Sequence, residues 1–239
     1  MPKMTKRLKA LEPKVDRAKR YAIEEAAAGA KECATAKFNE TIELAFLLGV
    51  DPRHAEQMVR GAVSLPHGTG KEVRVVVFCK SDSQIADAKA AGAMEAGSDE
   101  LIARVSGGWT DFDAAVAAPD MMGEVGKLGK VLGPRGLMPS PKAGSVTPNV
   151  GAAVSEIRKG KIEFRVDKNA NIHVPVGKAS FTPEQLAQNA AVVIENIVKA
   201  RPASVKGTYL KSCTMKSTMG PGFRLDCPSL VARFSNIAN

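Results

Sequence analysis

Apolar and polar residues alternate along residues 40–48, a pattern that predicts a β-strand with one buried face. The residues of the apolar phase are Ile42, Leu44, Phe46 and Leu48. Because side chains of a strand point alternately to its two faces, the pattern is typical of a sheet covered on one side. Residues 73–79 instead form a nearly continuous apolar run, which indicates a strand buried on both faces of a parallel sheet. The two patterns predict two different sheets.

Apolar positions spaced by three and four residues predict several helices. Residues 5–30 are mostly helical by this criterion, with a break at Pro13. Residues 182–197 combine a capping box with a proline in the first turn, and both features favour a helix start. The further predicted helices are residues 51–60, a segment that begins at a capping box at Ser81, residues 98–104 and residues 111–118.

The C-terminal third returns to the alternating pattern. Residues 161–166 and 171–176 are separated by a polar turn, which predicts a β-hairpin. Strands are also predicted at residues 204–216 and 222–227. Residues 64–70 are rich in Gly and Pro and predict a linker, after which the order of strands and helices indicates a small α/β unit.

Charge is unevenly distributed along the chain, which has 34 Lys and Arg against 25 Asp and Glu, a net charge of +9. Residues 1–20 carry eight basic and two acidic side chains (+6), and residues 199–224 carry six basic and no acidic ones (+6). Residues 81–120 carry two basic and eight acidic side chains (−6). Clustered cations favour a polyanionic partner, because they neutralise phosphates. The two ends of the chain are therefore predicted to form one side of a binding site.

The cysteine pattern and the hydropathy pattern narrow the protein class. The four cysteines lack the paired spacing of a zinc site or redox motif, so free thiols in a reducing compartment are predicted. No apolar run reaches the roughly 18 residues that a membrane-spanning helix needs, and no signal-peptide pattern begins the chain. A cytoplasmic protein with no membrane partner is predicted.

Catalytic motifs are absent from the sequence. Residues 68–71 (GTGK) imitate the end of a phosphate-binding loop, but Leu65 stands where its first glycine belongs and Glu72 where a Ser or Thr should bind Mg²⁺. A hinge with a surface lysine is the better interpretation. The three histidines are scattered, and neither a GxSxG nor an HExxH motif occurs. The sequence predicts neither an enzyme nor a cofactor.

Two segments have the chemistry expected of RNA contacts, and each has a plainer interpretation. Residues 123–142 interleave glycines with cations, which suits close approach to a polyanion but also a solvated glycine loop. In residues 216–222, Thr218 offers a hydroxyl, Met219 an adaptable apolar surface and Gly220 room for close approach. An ordinary β-turn is the alternative for this second segment.

Several separated motifs resemble the ribosomal protein L-one family. The matching segments are residues 37–38 (KF), 63–71 (VSLPHGTGK, its hinge), 132–142 (LGPRGLMPSPK, its signature), 171–178 (NIHVPVGK) and 217–221 (STMGP, its C-terminal RNA-binding segment). The similarity is collinear over residues 5–227 and of the bacterial type. The sequence departs from the family at Ser140, where Asn is usual, and at the turn near Asn169.

The resemblance implies an α/β (α+β) fold in two domains. Residues 1–66 and 159–228 are expected to form a discontinuous rRNA-binding domain of split βαβ type. Residues 67–158 are expected to form an inserted, Rossmann-like, three-layer α/β domain. Residues 229–239 match nothing in the family and are set apart as a tail.

The resemblance also implies a function. Members of the family are structural constituents of the large ribosomal subunit that bind large-subunit rRNA at the mobile stalk, and the same is expected of this chain. The resemblance adds assistance in exit-site tRNA release and translational repression of the protein's own operon mRNA. The implied partners are that rRNA, exit-site tRNA, the messenger and the large subunit. An RNA-binding regulator or RNA chaperone that does not reside on the ribosome is the alternative.

The resemblance assigns candidate RNA contacts residue by residue. The primary contacts that it implies are Phe38, Ser212, Thr218, Met219 and Gly220. The secondary contacts to rRNA or tRNA are Arg135, Lys142 and Lys168. By pattern alone, Phe38 would be a core aromatic residue and Ser212 a hydroxyl on a strand face.

Overall fold

The computed structural model describes residues 6–141 and 144–235, and the chain divides into two compact units. The first unit comprises the chain up to Gly70 and from Ile162 onward, and the second runs from Lys71 to Lys161. In chain order the elements are α1 (Lys6–Leu11), α2 (Ile23–Glu32), β1 (Thr41–Leu48), β2 (Arg60–Ser64), β3 (Val75–Phe78), α3 (Asp82–Ala90), β4 (Glu95–Gly97), α4 (Asp99–Ser106), β5 (Ala114–Ala117), α5 (Met122–Val125), α6 (Gly129–Leu132), α7 (Val150–Arg158), β6 (Lys161–Arg165), β7 (Asn171–Lys178), α8 (Pro183–Lys199), β8 (Leu210–Ser217), β9 (Gly222–Arg224) and α9 (Cys227–Ser235). Helices and strands are mixed, so the predicted α+β class is confirmed.

A four-stranded antiparallel sheet organises the first unit, in the order β7-β1-β8-β9. The apolar phase of β1 is fully buried and the opposite phase is partly or wholly exposed, as the alternating pattern predicts. Helices α2, α8 and α9 share a core with the buried face of this sheet. The sheet therefore keeps one covered face and one face with accessible side chains.

The hairpin predicted over residues 161–176 is wrong. Strand β6 pairs with β2 in a separate two-stranded sheet, whereas β7 pairs with β1. The polar turn between them is present, because the Asp167 carboxylate accepts the N–H groups of Asn169 and Asn171 at 2.8 and 2.7 Å. Strand β6 packs closely against β2, because the Phe164 ring occupies the space beside Gly61, which has no side chain.

Two predicted helices are also wrong. Residues 111–118 contain the strand β5, because pairing with β3 outweighs the helix propensity of its alanines. Residues 51–60 hold only a 3₁₀ turn at Ala55–Gln57 before β2 begins at Arg60. In residues 229–239, set apart as a tail by sequence, positions 229–235 belong to α9, whose Leu230 and Phe234 are buried in the core of the first unit.

Helix α8 begins as its sequence predicts. The Thr182 hydroxyl accepts the Gln185 N–H at 3.3 Å, and the Gln185 side chain accepts the Thr182 N–H at 3.0 Å, so the capping box is complete. The capping box predicted at Ser81 is not formed, although α3 does begin at the next residue. The Ser81 hydroxyl instead bonds the hydroxyl of Ser83 at 2.8 Å.

The second unit contains a three-stranded parallel sheet in the order β4-β3-β5. All four residues of β3 are buried, as its continuous apolar pattern predicts. Helix α7 packs against β3, β5 and α3 of this unit. Within the described ranges, no helix is both long and apolar enough to cross a membrane.

Candidate RNA-binding site

Several candidate residues meet at one end of the four-stranded sheet. Strand β1 starts at this end, and β7 and β8 finish there, since Thr41 pairs with Lys178 and Ile42 with Ser217. Phe38 lies in the loop before β1, and residues 218–220 follow β8 directly. We call the group made of Phe38, Glu40, Thr41, Lys178 and residues 217–220 the strand-end site.

The segment after β8 is a tight turn that presents an apolar side chain. The N–H of Gly220 donates to the carbonyl of Ser217 at 3.2 Å, so the plainer interpretation as a β-turn is correct. Yet Met219 within that turn is 52% exposed. A Cβ at Gly220 would collide with the Ser217 hydroxyl, so a side chain here would require Ser217 to move.

Phe38 is the second exposed apolar side chain of the site. It is 54% exposed, which excludes the interpretation of this residue as a core aromatic. Large apolar side chains are rarely this accessible without a partner, and an aromatic ring is the usual platform on which an unpaired base stacks. Phe38 and Met219 thus present two accessible apolar side chains at the same end of the sheet.

Thr218 is bonded within the protein through its side chain and its backbone. Its Oγ1 accepts the Thr41 N–H at 3.1 Å and donates to the Thr41 carbonyl at 3.2 Å, and its own N–H donates to the same carbonyl at 2.9 Å. A hydroxyl oxygen has two lone pairs, so it can accept one further bond from a ribose 2′-OH. Thr218 therefore fixes the turn to β1 and still offers an acceptor.

Two lysine side chains, Lys178 and Lys31, carry positive charge at or near the strand-end site. The Lys178 ammonium donates to the Thr41 hydroxyl at 2.8 Å, and the Lys31 ammonium donates to the Phe181 carbonyl at 2.6 Å. Both acceptors are neutral oxygens, so these bonds orient the cations without cancelling their charge. Phosphate groups of a nucleic acid are the ligand class that such cations attract.

Two further residues of this end of the sheet, Glu40 and Arg7, are not singled out by any sequence motif. Glu40 is only 1% exposed, and its carboxylate accepts backbone N–H groups from both sides of the site. Arg7 lies beside it, with Nη2 3.6 Å from the carboxylate. A signal for Glu40 was present, because it falls in the same phase as the buried Ile42 and Leu44. A carboxylate on the inward phase of a strand requires bonded partners.

Ser212 does not lie with the other primary candidates. It pairs with Leu47 at the opposite end of β1, six residues before Thr218, which corresponds to about 20 Å along a strand. Its hydroxyl lies on the accessible phase of β8, so the plainer interpretation as a strand-face hydroxyl describes its position. The exposed Lys168 lies near it, in the turn that precedes β7.

Two secondary candidates, Arg135 and Lys142, belong to the second unit, whereas the four-stranded sheet belongs to the first. Arg135 is exposed in the glycine-rich segment, and its guanidinium donates to the Thr110 hydroxyl. Lys142 lies outside the described residues. Ser140, the departure from the family signature, is bonded through its backbone N–H to the Ser145 hydroxyl at 3.0 Å.

The thiols and acidic groups do not form a metal centre in the described parts of the chain. There, no three His, Cys, Asp or Glu side chains are placed to hold a metal ion together. Cys33, Cys79 and Cys213 are free and buried, and burial raises the pKa of each thiol. A raised pKa keeps these cysteines protonated and chemically inert.

Comparisons with known proteins identify the family of the chain. Residues 30–221 match the profile described as "Ribosomal protein L1p/L10e family". The chain is 56% identical to the "Large ribosomal subunit protein uL1" of Clavibacter michiganensis subsp. michiganensis over 226 residues, which cover 95% of this chain and 99% of that one. It is 56% identical to the protein of the same description from Saccharopolyspora erythraea, over 93% of this chain and 94% of the relative. The chain belongs to the ribosomal protein L1 family.

Proposed function

We propose that this protein is a structural constituent of the large ribosomal subunit and binds large-subunit rRNA through the strand-end site. One observation carries the proposal: two exposed apolar side chains, Phe38 and Met219, project beside oriented cations at one end of a sheet. This combination suits unstacked bases and sugars together with a phosphate backbone. Its role is RNA binding without catalysis, which implies a ribosome-associated, cytoplasmic protein.

The accessible phase of the four-stranded sheet extends the proposed interface. Ser212 at the far end lies about 20 Å from Thr218 along β8, a separation that several nucleotides span, and Lys168 precedes β7 at that same end of the sheet. A folded RNA segment could therefore contact both ends at once. We propose the strand-end site as the main contact and the far end as its extension.

We further propose the finer roles that the family resemblance implies. The rRNA target is the base of the mobile stalk, and the protein assists release of exit-site tRNA. Arg135, exposed in the glycine-rich segment of the second unit, is the candidate for contacts outside the primary site. Because the primary site recognises a fold of RNA, a similar fold in the protein's own operon mRNA would compete for it. Protein that is not bound to rRNA would then bind this fold of the messenger and repress its translation.

Cosedimentation with large ribosomal subunits in moderate salt tests the proposal. We expect the protein to sediment with large subunits and to be displaced by an excess of the stalk fragment of large-subunit rRNA. Binding to that fragment should weaken as salt rises, because phosphate contacts release counterions. A protein that binds RNA fragments but never sediments with subunits would instead be a regulator or RNA chaperone that does not reside on the ribosome.

A further inference from the structure

Glu40 is a buried carboxylate directly beneath the strand-end site. It precedes β1 in the inward phase and is 1% exposed. Burying a charged group is unfavourable unless hydrogen bonds and opposite charges replace the water that is lost. The groups that bond Glu40 therefore indicate which segments its carboxylate holds in place.

The partners of Glu40 come from both segments that carry the exposed apolar side chains. Its Oε1 accepts the N–H of Ala36 at 2.8 Å, two residues before Phe38. Its Oε2 accepts the N–H of Met219 at 2.8 Å. One carboxylate thus bonds both the loop of Phe38 and the turn of Met219, and Met219 lies 179 residues from Glu40 in the chain.

Arg7 completes the arrangement from the N-terminal helix. Its guanidinium donates to the Met219 carbonyl at 2.9 Å and lies 3.6 Å from Oε1 of Glu40. Burial on its own would raise the pKa of Glu40, but the N–H donors of Met219 and Ala36, with the charge of Arg7, hold that pKa below its usual value. Glu40 is therefore ionised at neutral pH, and Met219 is fixed through both its N–H and its carbonyl.

We propose that Glu40 is a positioning residue of the RNA site, which fixes Phe38 and Met219 relative to each other before RNA binds. This inference rests on the proposed RNA-binding function. A site that is ordered before binding holds RNA more tightly, because no binding free energy is lost in ordering its loops. Glu40 does so without touching RNA, since its carboxylate is inaccessible.

The Glu40→Gln variant of the full chain tests this role. Glutamine has nearly the same shape but only one acceptor oxygen, so one of the two N–H groups would face an NH₂ group. We expect its affinity for isolated large-subunit rRNA to fall by about tenfold or more. In the RNA-free protein, the amide hydrogens of Ala36 and Met219 should exchange with solvent faster than in the wild type.

A double variant separates positioning from general destabilisation. If Glu40 acts through Met219, the Met219→Ala substitution should weaken RNA binding much less in the Glu40→Gln protein than in the wild type. Asp113→Asn is the matched control, because Asp113 also accepts a backbone N–H, from Arg74, and pairs with two cations, but it lies in the second unit. It should leave the affinity for rRNA unchanged.

Three results would overturn the inference: unchanged rRNA affinity in Glu40→Gln, unchanged exchange of both amides, or additive effects in the double variant. Where Glu40→Gln is too unstable to assay, Arg7→Lys keeps the charge but loses the fork that reaches Met219. It should speed exchange near Met219 and weaken binding several-fold, and wild-type behaviour in both measurements would also reject the role. A wild-type protein that does not bind large-subunit rRNA would refute the proposed function itself.

Discussion

The Thr218 hydroxyl bonds the Thr41 backbone, and substitutions test how much it contributes to RNA binding. Thr218→Val keeps the shape and the backbone bond to Thr41 but loses both side-chain bonds to the Thr41 backbone, so we expect rRNA binding to weaken by about 1–3 kcal/mol. Thr218→Ser retains the hydroxyl and should bind nearly as the wild type does. Lys9→Ala, on the exposed side of α1, should cost less than Thr218→Val. Filter-binding titrations of the three variants check this order, and a larger effect at Lys9 would misplace the site.

Met219 can be tested against a methionine of similar exposure elsewhere in the chain. Met219 is 52% exposed in the strand-end site, and Met94 is 48% exposed in the second unit. Met219→Ala should weaken rRNA binding, because the turn loses its apolar contact with RNA, while Met94→Ala should not change it. Each substitution truncates a side chain that is about half exposed, so the two proteins should show similar unfolding temperatures. Equal loss of affinity in the two variants would argue against a specific role for Met219.

At the scale of elements, helix α8 is tied to the first predicted linker by one buried side chain. The Asn189 amide donates to the carbonyls of Val176 and Gly68 at 2.8 and 3.0 Å and accepts the His67 N–H at 3.1 Å. All of its hydrogen-bonding groups are used, although its side chain is fully buried. The first part of the linker is therefore bound to α8 within the first unit.

We expect Asn189→Ala to lower the free energy of unfolding by roughly 2–4 kcal/mol, because three backbone groups in or near the core lose their hydrogen bonds to this side chain. Asn196→Ala on the same helix is the control. The amide of Asn196 donates only to the Val192 carbonyl of its own helix, at 2.8 Å, so its loss should cost far less. Denaturant unfolding measures both values, and equal values would mean that the tie to the linker adds no stability.

At the scale of the whole molecule, each unit has its own hydrophobic core. A shortened chain that keeps residues 1–70 and 162–239, joined by a short Gly–Ser linker, should therefore fold. It retains the strand-end site and should bind the stalk fragment of large-subunit rRNA within about tenfold of the full chain, or roughly 1.4 kcal/mol. Functions that require Arg135 should be lost with the second unit.

The complementary chain of residues 71–161 is the control for this experiment. It holds the acidic run and none of the strand-end site, so it should bind the same rRNA weakly or not at all. Calorimetric titration of both chains compares their affinities. Tight, specific binding by residues 71–161 alone would contradict the assignment of the primary site to the first unit.

The features that sequence predicted well are those encoded by neighbouring residues. The alternation in β1, the continuous apolar run of β3 and the capping box at Thr182 each describe a local geometry, and each is present. The motif at residues 217–221 indicated a turn with an exposed Met219 for the same reason. In these cases a few consecutive side chains decide the backbone, and distant parts of the chain need not be known.

Tertiary structure decided what depends on partners far away in sequence. Strand β6 pairs with β2 and not with β7, and the alanines of β5 form a strand because β3 lies beside them. Ser212 is placed at the far end of the sheet by the register of β8 against β1. Glu40 joins loops that only the fold brings together, since its bonding partners lie up to 179 residues away. Sequence can mark such a buried carboxylate as needing partners, but only the folded chain selects them.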